Sequence, residues 1–128
     1  LLNHSDYIVI ACPLTYLTRN LINKNKFNIM NSNSILINVS RGEIIDEKEL
    51  INVLINKKIK GAALDVFNLE PLSKDSPLFN LNNVLLSPHI AGNFNNYQSN
   101  VIKAFEENLN RYINHKSLRN RVCKKRQY

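Results

Sequence analysis

The sequence predicts an α/β protein, a mostly parallel sheet with helices packed against it. Three observations lead there: four short apolar runs, helical patterns between them, and charged or turn-forming residues just beyond each run. Short continuous apolar runs have the form of strands buried on both faces, and their alternation with helices implies right-handed crossovers. At 128 residues, 44% of them hydrophobic, the chain is long enough to bury one sizeable core.

Each element has its own signal. YIVIAC, from Tyr7 to Cys12, ends at Pro13, which cannot continue a central strand. A turn with Thr15 and Thr18 follows, then a short helix around residues 20–30. SILINV, from Ser34 to Val39, is the second strand and runs into Ser40-Arg41-Gly42. Asp46 can cap a helix whose apolar positions are Leu50, Ile51, Val53, Leu54 and Ile55, with Glu49 at the capping-box position and an end by Gly61. GAALDVF, from Gly61 to Phe67, is the third strand, small at its start as close packing against a helix requires. Asp65 is out of place in it, because a lone acid in an apolar strand is costly unless it is paired, lies at the strand's end or faces a ligand. NVLLSPH from Asn83 is the fourth strand. After Gly92, a long amphipathic helix over about residues 95–114 carries the stripe Val101, Ile102, Phe105, Leu109, Tyr112 and Ile113.

Composition narrows the function. The net charge of +7 suggests nucleic acid, yet five of the 17 basic residues (Arg119, Arg121, Lys124, Lys125, Arg126) fall in the last ten positions. With neither a recognition helix nor an aromatic stacking platform beside them, they read as a solvated tail, and no nucleic-acid partner is expected. No apolar run reaches the roughly 20 residues of a membrane span, and the start lacks a secretory pattern, so a cytoplasmic setting without membrane partners is expected. Cys12 and Cys123 lie far apart without metal-ligand spacing, which argues for reduced thiols and no metal site. Leu1 stands where a start would have Met, and a strand follows almost at once, so the chain reads as part of something longer.

Chemistry concentrates in three charged residues: Arg41 in NVSRG, Glu70 in LDVFNLEP and His89 in SPHIAG. A histidine gives and takes protons near neutral pH, and a nearby carboxylate favours its protonated form. An arginine fork matches a carboxylate in two parallel hydrogen bonds, which suits a 2-oxo or 2-hydroxy acid. Taken singly, each has a structural reading: a solvated charge at a helix start, a loop carboxylate before Pro71, a turn histidine. Together they sit at the ends of successive strands, with Pro13, where ligands of open parallel sheets bind.

The runs IVIACPLTYLTRNLI from Ile8, ILINVSRGEIIDEKELINVL from Ile35, KIKGAALDVFNLEP from Lys58 and NVLLSPHIAG from Asn83 resemble the D-isomer-specific 2-hydroxyacid dehydrogenases. The resemblance covers residues 1 to about 92, and the helix beyond is similar to the family's return helix. It implies a Rossmann-like fold: residues 1–92 as the C-terminal half of an NAD(P)-binding domain, residues 93–128 as the return helix and tail that would pack on a substrate domain. It implies NAD as cofactor, with NADP open, a small 2-hydroxy or 2-oxo acid as substrate, and a homodimer at full length. By the family's pattern His89 would be the general acid, Glu70 would hold it, and Arg41 would bind the substrate carboxylate. Asp65 would accept from the nicotinamide carboxamide, Cys12, Pro13 and Ser40 would line the cofactor beside Arg41 and His89, and Gly92 would allow close backbone approach. For Cys12 a reactive thiol is the sharper reading and a small apolar wall the plainer one. The pyrophosphate motif GxGxxG is absent, since the three glycines are Gly42, Gly61 and Gly92, so the chain alone is expected to be inactive. A non-catalytic NAD-binding protein of the C-terminal-binding-protein corepressor type, and a decayed remnant, are the alternatives on the same scaffold.

Overall fold

The apolar runs become strands shorter than the runs themselves, because pairing stops where turn residues begin. In the computed structural model, which describes residues 1–128, these are β1 (Tyr7–Ile10), β2 (Ile35–Asn38), β3 (Gly61–Leu64) and β4 (Val84–Leu86). The helices are α1 (Lys24–Asn28), α2 (Glu47–Ile55) and α3 (Tyr97–Ile113), with 3₁₀ turns at Gly42–Ile44 and Pro77–Asn80. The four strands form one parallel sheet in the order β1-β2-β3-β4, with Ile10 opposite Asn38, Asn38 opposite Leu64, and Leu64 opposite Leu86. Their carboxyl ends therefore lie in one row. Everything chemically notable in the sequence follows that row.

One face of the sheet is covered. Ile8, Ile10, Leu36, Ala62 and Leu64 are buried with Phe27 of α1 and Leu50, Val53 and Leu54 of α2. Full burial of each large aliphatic side chain contributes about 1.5–3 kcal/mol. The Asp46 carboxylate caps α2 by accepting from the Glu49 amide at 3.1 Å, as its sequence position predicts. Glu49 does not complete the box and accepts instead from Asn52 Nδ2 at 3.2 Å.

The opposite face differs from expectation. Tyr7, Val9 and Leu85 are 66%, 58% and 71% exposed, because α1 and α2 both pack on the Ile8 side and residues 1–91 supply no second layer. Gly61 also has a different reason from the one predicted. An added Cβ there would lie 2.5 Å from the Asn83 carbonyl oxygen, so it is the backbone leading into β4, not a helix, that requires glycine. No helix is long and apolar enough to cross a membrane.

Leu1–Ala91 and Gly92–Tyr128 are two compact units. Within the second, the chain after α3 folds back along it: Arg119 pairs with Glu107 at 2.7 Å, its amide donates to Asn108 Oδ1 at 2.8 Å, and Arg111 Nε donates to the Ser117 carbonyl at 2.6 Å. The apolar stripe of α3 is exposed along its length, and His115, like His4 in the first unit, is a surface residue.

Candidate active site

Four turns at the carboxyl ends of the strands build the site. After β1, Thr18 Oγ1 accepts from the Thr15 amide and donates to the Pro13 carbonyl, both at 2.7 Å, which fixes the turn carrying Cys12 and Pro13. After β2, the wholly buried Asn38 shapes the next turn: its Oδ1 accepts from the Ser40 amide at 3.0 Å and its Nδ2 donates to the Arg41 carbonyl at 2.9 Å. Ser40 Oγ donates to the Cys12 carbonyl, joining the first two turns. Gly42 then lies flush against the loop that follows β3, where an added Cβ would stand 2.0 Å from the Phe67 carbonyl carbon.

The ends of β3 and β4 carry the acid–base pair. Glu70 Oε1 accepts from the Phe67 amide at 3.0 Å, and Oε2 lies 2.7 Å from His89 Nδ1. The bond to His89, then the Phe67 amide, hold the Glu70 carboxyl below its ordinary range against the opposing effect of burial. Glu70 is therefore ionised at neutral pH, and as a carboxylate it can only accept, so Nδ1 carries the hydrogen of this bond. That leaves Nε2 as the nitrogen able to exchange a proton with a ligand. Phe67, Pro71, Leu72 and Pro88 surround the pair in a recess of about 130 Å³.

The comparisons with known proteins bear on the family and the fold. Residues 1–91 match the family described as D-isomer specific 2-hydroxyacid dehydrogenase, NAD binding domain. The chain belongs to the D-isomer specific 2-hydroxyacid dehydrogenases. It is 42% identical over 109 residues to a glyoxylate/hydroxypyruvate reductase B of Salmonella newport, an alignment covering 85% of this chain and 34% of that protein. The chain thus spans about a third of the length of the curated relatives it matches. Among solved structures, a D-isomer specific 2-hydroxyacid dehydrogenase from Xanthobacter autotrophicus Py2 in complex with NADPH and MES superposes with a TM-score of 0.93 at 35% identity, covering 99% of this chain and 52% of that one. An NADPH-dependent glyoxylate/hydroxypyruvate reductase from Sinorhizobium meliloti in complex with NADP and sulfate gives 0.91 at 30% identity, covering 99% and 41%. The first unit is thus Rossmann-like, within the dehydrogenases' NAD-binding domain.

In this dehydrogenase domain the predicted residues differ in how they are held. Glu70 and His89 are in contact. Arg41 is exposed, takes part in no ion pair, and donates from Nη1 to the Ser40 carbonyl at 2.6 Å. Asp65 lies just past the end of β3 and is 4% exposed. Its Oδ1 accepts from Ser87 Oγ at 2.5 Å and the Ile90 amide at 2.9 Å, and its Oδ2 from the Ala91 amide at 2.9 Å. These bonds from the chain itself account for a buried acid that the sequence alone leaves unexplained. Burial pushes the Asp65 carboxyl up, but the Ser87 hydroxyl with the Ala91 and Ile90 amides outweighs it and holds the carboxyl below its ordinary range.

A nicotinamide fits what is present. Two carboxylate oxygens offer about four acceptor positions. Asp65 uses three of them within the chain, leaving one for an amide donor. A pyrophosphate finds no glycine-rich turn here, since Gly42 and Gly61 are occupied by backbone packing. Gly92 opens the second unit, where an added Cβ would meet no atom within 4 Å.

Sequence reasoning missed Asn38 and Ser87 as builders of the site. Asn38 carried a usable signal, an Asn ending an apolar strand two residues before a serine, where its side chain can close an Asx turn. Ser87 carried none. Its role depends on Asp65, 22 residues away.

Proposed function

We propose that these residues form the proton-transfer and substrate-holding part of an NAD(P)-dependent oxidoreductase that interconverts a D-2-hydroxy acid and its 2-oxo acid. The observation that carries the reading is the 2.7 Å contact between His89 Nδ1 and Glu70 Oε2 at the carboxyl edge of a parallel sheet. When bound, a reduced nicotinamide supplies the hydride that reaches the carbonyl carbon. His89 Nε2 gives its proton to the carbonyl oxygen, leaving a neutral imidazole, and takes the hydroxyl proton in the reverse direction. Glu70 holds the ring by Nδ1. Arg41 binds the substrate carboxylate with its exposed guanidinium, which forms no ion pair within the chain.

Cys12, Pro13, Ser40 and Asp65 are assigned to the nicotinamide side of the cofactor, with the Cys12 thiol as a wall and not a nucleophile. The assignment of Gly92 rests on resemblance alone. The names of the relatives favour a small 2-oxo acid such as glyoxylate or hydroxypyruvate as substrate. In the same reading residues 93–128 serve a substrate domain of a longer, homodimeric chain.

The test uses the full-length protein. Reduction of glyoxylate or hydroxypyruvate is followed with NADH and with NADPH, in the wild type and in His89→Ala. The variant should lose about 10²–10⁴-fold in kcat while cofactor binding stays near wild type. A wild-type protein that binds cofactor but reduces no 2-oxo acid would move the reading to a non-catalytic NAD-binding role.

A further inference from the structure

The loop carrying Glu70 is held at two consecutive amides. The Phe67 amide donates to Glu70 Oε1 at 3.0 Å, and the next amide, that of Asn68, donates to Glu47 Oε2 at 2.9 Å. Glu47 is the first residue of α2 and lies 21 positions before Asn68, so the second bond ties the loop after β3 to a helix in the preceding crossover. The same segment is pressed on the 3₁₀ turn after Arg41: a Cβ on Gly42 would be 2.0 Å from the Phe67 carbonyl carbon and 2.5 Å from the Asn68 nitrogen. Backbone contact on one side and a carboxylate on the other leave the Phe67–Asn68 peptide little freedom.

We propose that Glu47 is a positioning residue for the acid–base pair: by clamping the Asn68 amide it fixes the neighbouring Phe67 amide, which in turn orients the Glu70 carboxylate toward His89. The two amides belong to successive rigid peptide units hinged at the Phe67 Cα, so holding the Asn68 unit leaves only the two Phe67 dihedrals to move the Phe67 amide. The helix itself has another cap, since Asp46 accepts from the Glu49 amide. A plain structural role is nonetheless available to Glu47, because an acid in a first turn is stabilised by the helix dipole. The two roles differ in what they need. The clamp needs an acceptor oxygen, and the dipole needs a charge.

The inference rests on the dehydrogenase reading for its kinetic measurement but not for its structural one. In full-length protein, Glu47→Ala and Glu47→Gln are compared with wild type for kcat and KM with glyoxylate or hydroxypyruvate. The protonation midpoint of the Glu70 carboxyl is measured by carbon NMR in the absence of substrate. Glu47→Ala should lower kcat about fivefold, the scale of one lost hydrogen bond, with cofactor KM unchanged, and should raise the Glu70 midpoint toward its ordinary range. Glu47→Gln keeps an acceptor oxygen and should stay within about twofold of wild type. Wild-type behaviour of Glu47→Ala, or equal losses in both variants, would overturn the clamp. If the wild type shows no reductase activity, the functional reading fails by itself, and the Glu70 midpoints still decide the role of Glu47.

Discussion

The two ends of the site belong to the same row of strand ends but are built in opposite ways. Beyond β3 and β4, Asp65, Glu70 and His89 are bound into their own loops: Asp65 accepts three donors from residues 87–91 through its carboxylate, and its carbonyl accepts from the His89 amide at 2.8 Å. His89 sits at a positive φ of 54°, a conformation costing on the order of 1 kcal/mol for a non-glycine residue, which those bonds offset. Beyond β2, the Asn38 and Ser40 side chains are fixed, but Arg41 is held only by a bond from Nη1 to the neighbouring Ser40 carbonyl. Asn38 orders the turn, while the Arg41 guanidinium is exposed and meets no carboxylate. The difference matches the roles proposed: a proton donor is useful only if its geometry exists before the ligand arrives, whereas a group that recognises an anion has to leave its charge free.

The largest effect short of removing His89 should come from Arg41→Lys. A point charge cannot reproduce a two-toothed fork, so KM for the 2-oxo acid should rise about 10- to 100-fold, the range for lost charge-assisted hydrogen bonds. The Glu70 titration should be almost untouched, since Arg41 is the smallest contributor to it. Steady-state kinetics beside that titration would break the comparison if the arginine proved to organise the pair, or if KM did not move.

Asp65→Asn attacks the fixed side. An amide in place of the carboxylate turns an NH₂ toward a backbone N–H, and a loss of about 1–3 kcal/mol is expected. The pH dependence gives a second reading. The Asp65 carboxyl is held below its ordinary 3.8 in the folded chain, so its stabilisation is complete above that value and is lost as pH falls through the lower folded one. Asparagine does not titrate. Melting temperatures of the full-length protein from about pH 6 down to pH 2 should therefore fall less steeply in the variant than in the wild type. Parallel curves would mean that the three donors do not stabilise the charged form.

How much of this could be seen beforehand depended on the distance over which each feature is decided. Asp46 at the start of α2 and the turn residues after each strand are local, and their positions alone placed the elements and the row of charged residues. The family was legible because Arg41, Glu70 and His89 each stand in a distinctive short motif. The bare second face of the sheet was not legible, since a run such as YIVI looks equally buried whether its second cover lies in this chain or elsewhere. Nor were the attachments of Asp65, Asn68 and Gly42 legible. Each is a meeting of segments more than 20 residues apart, for which composition and periodicity carry no signal.

The smallest expected effect sharpens the comparison most. Ser87→Ala removes one of the three donors on Asp65 and leaves both backbone amides in place, so the carboxylate stays satisfied and the loop stays closed. Only about 1 kcal/mol of stability and about a two- to threefold fall in kcat are expected, with KM for the 2-oxo acid unchanged because the Arg41 side chain bonds to neither Ser87 nor Asp65. Its value lies in combination. If Asp65 acts by holding residues 87–91, Ser87→Ala added to Asp65→Asn should cost almost nothing further, since the partner is already lost. If Asp65 acts only through the cofactor, the two losses should add. Thermal melts of the two single variants and the double variant, made without cofactor, separate the cases and show whether the firm side of the site is held by the chain before any ligand is present.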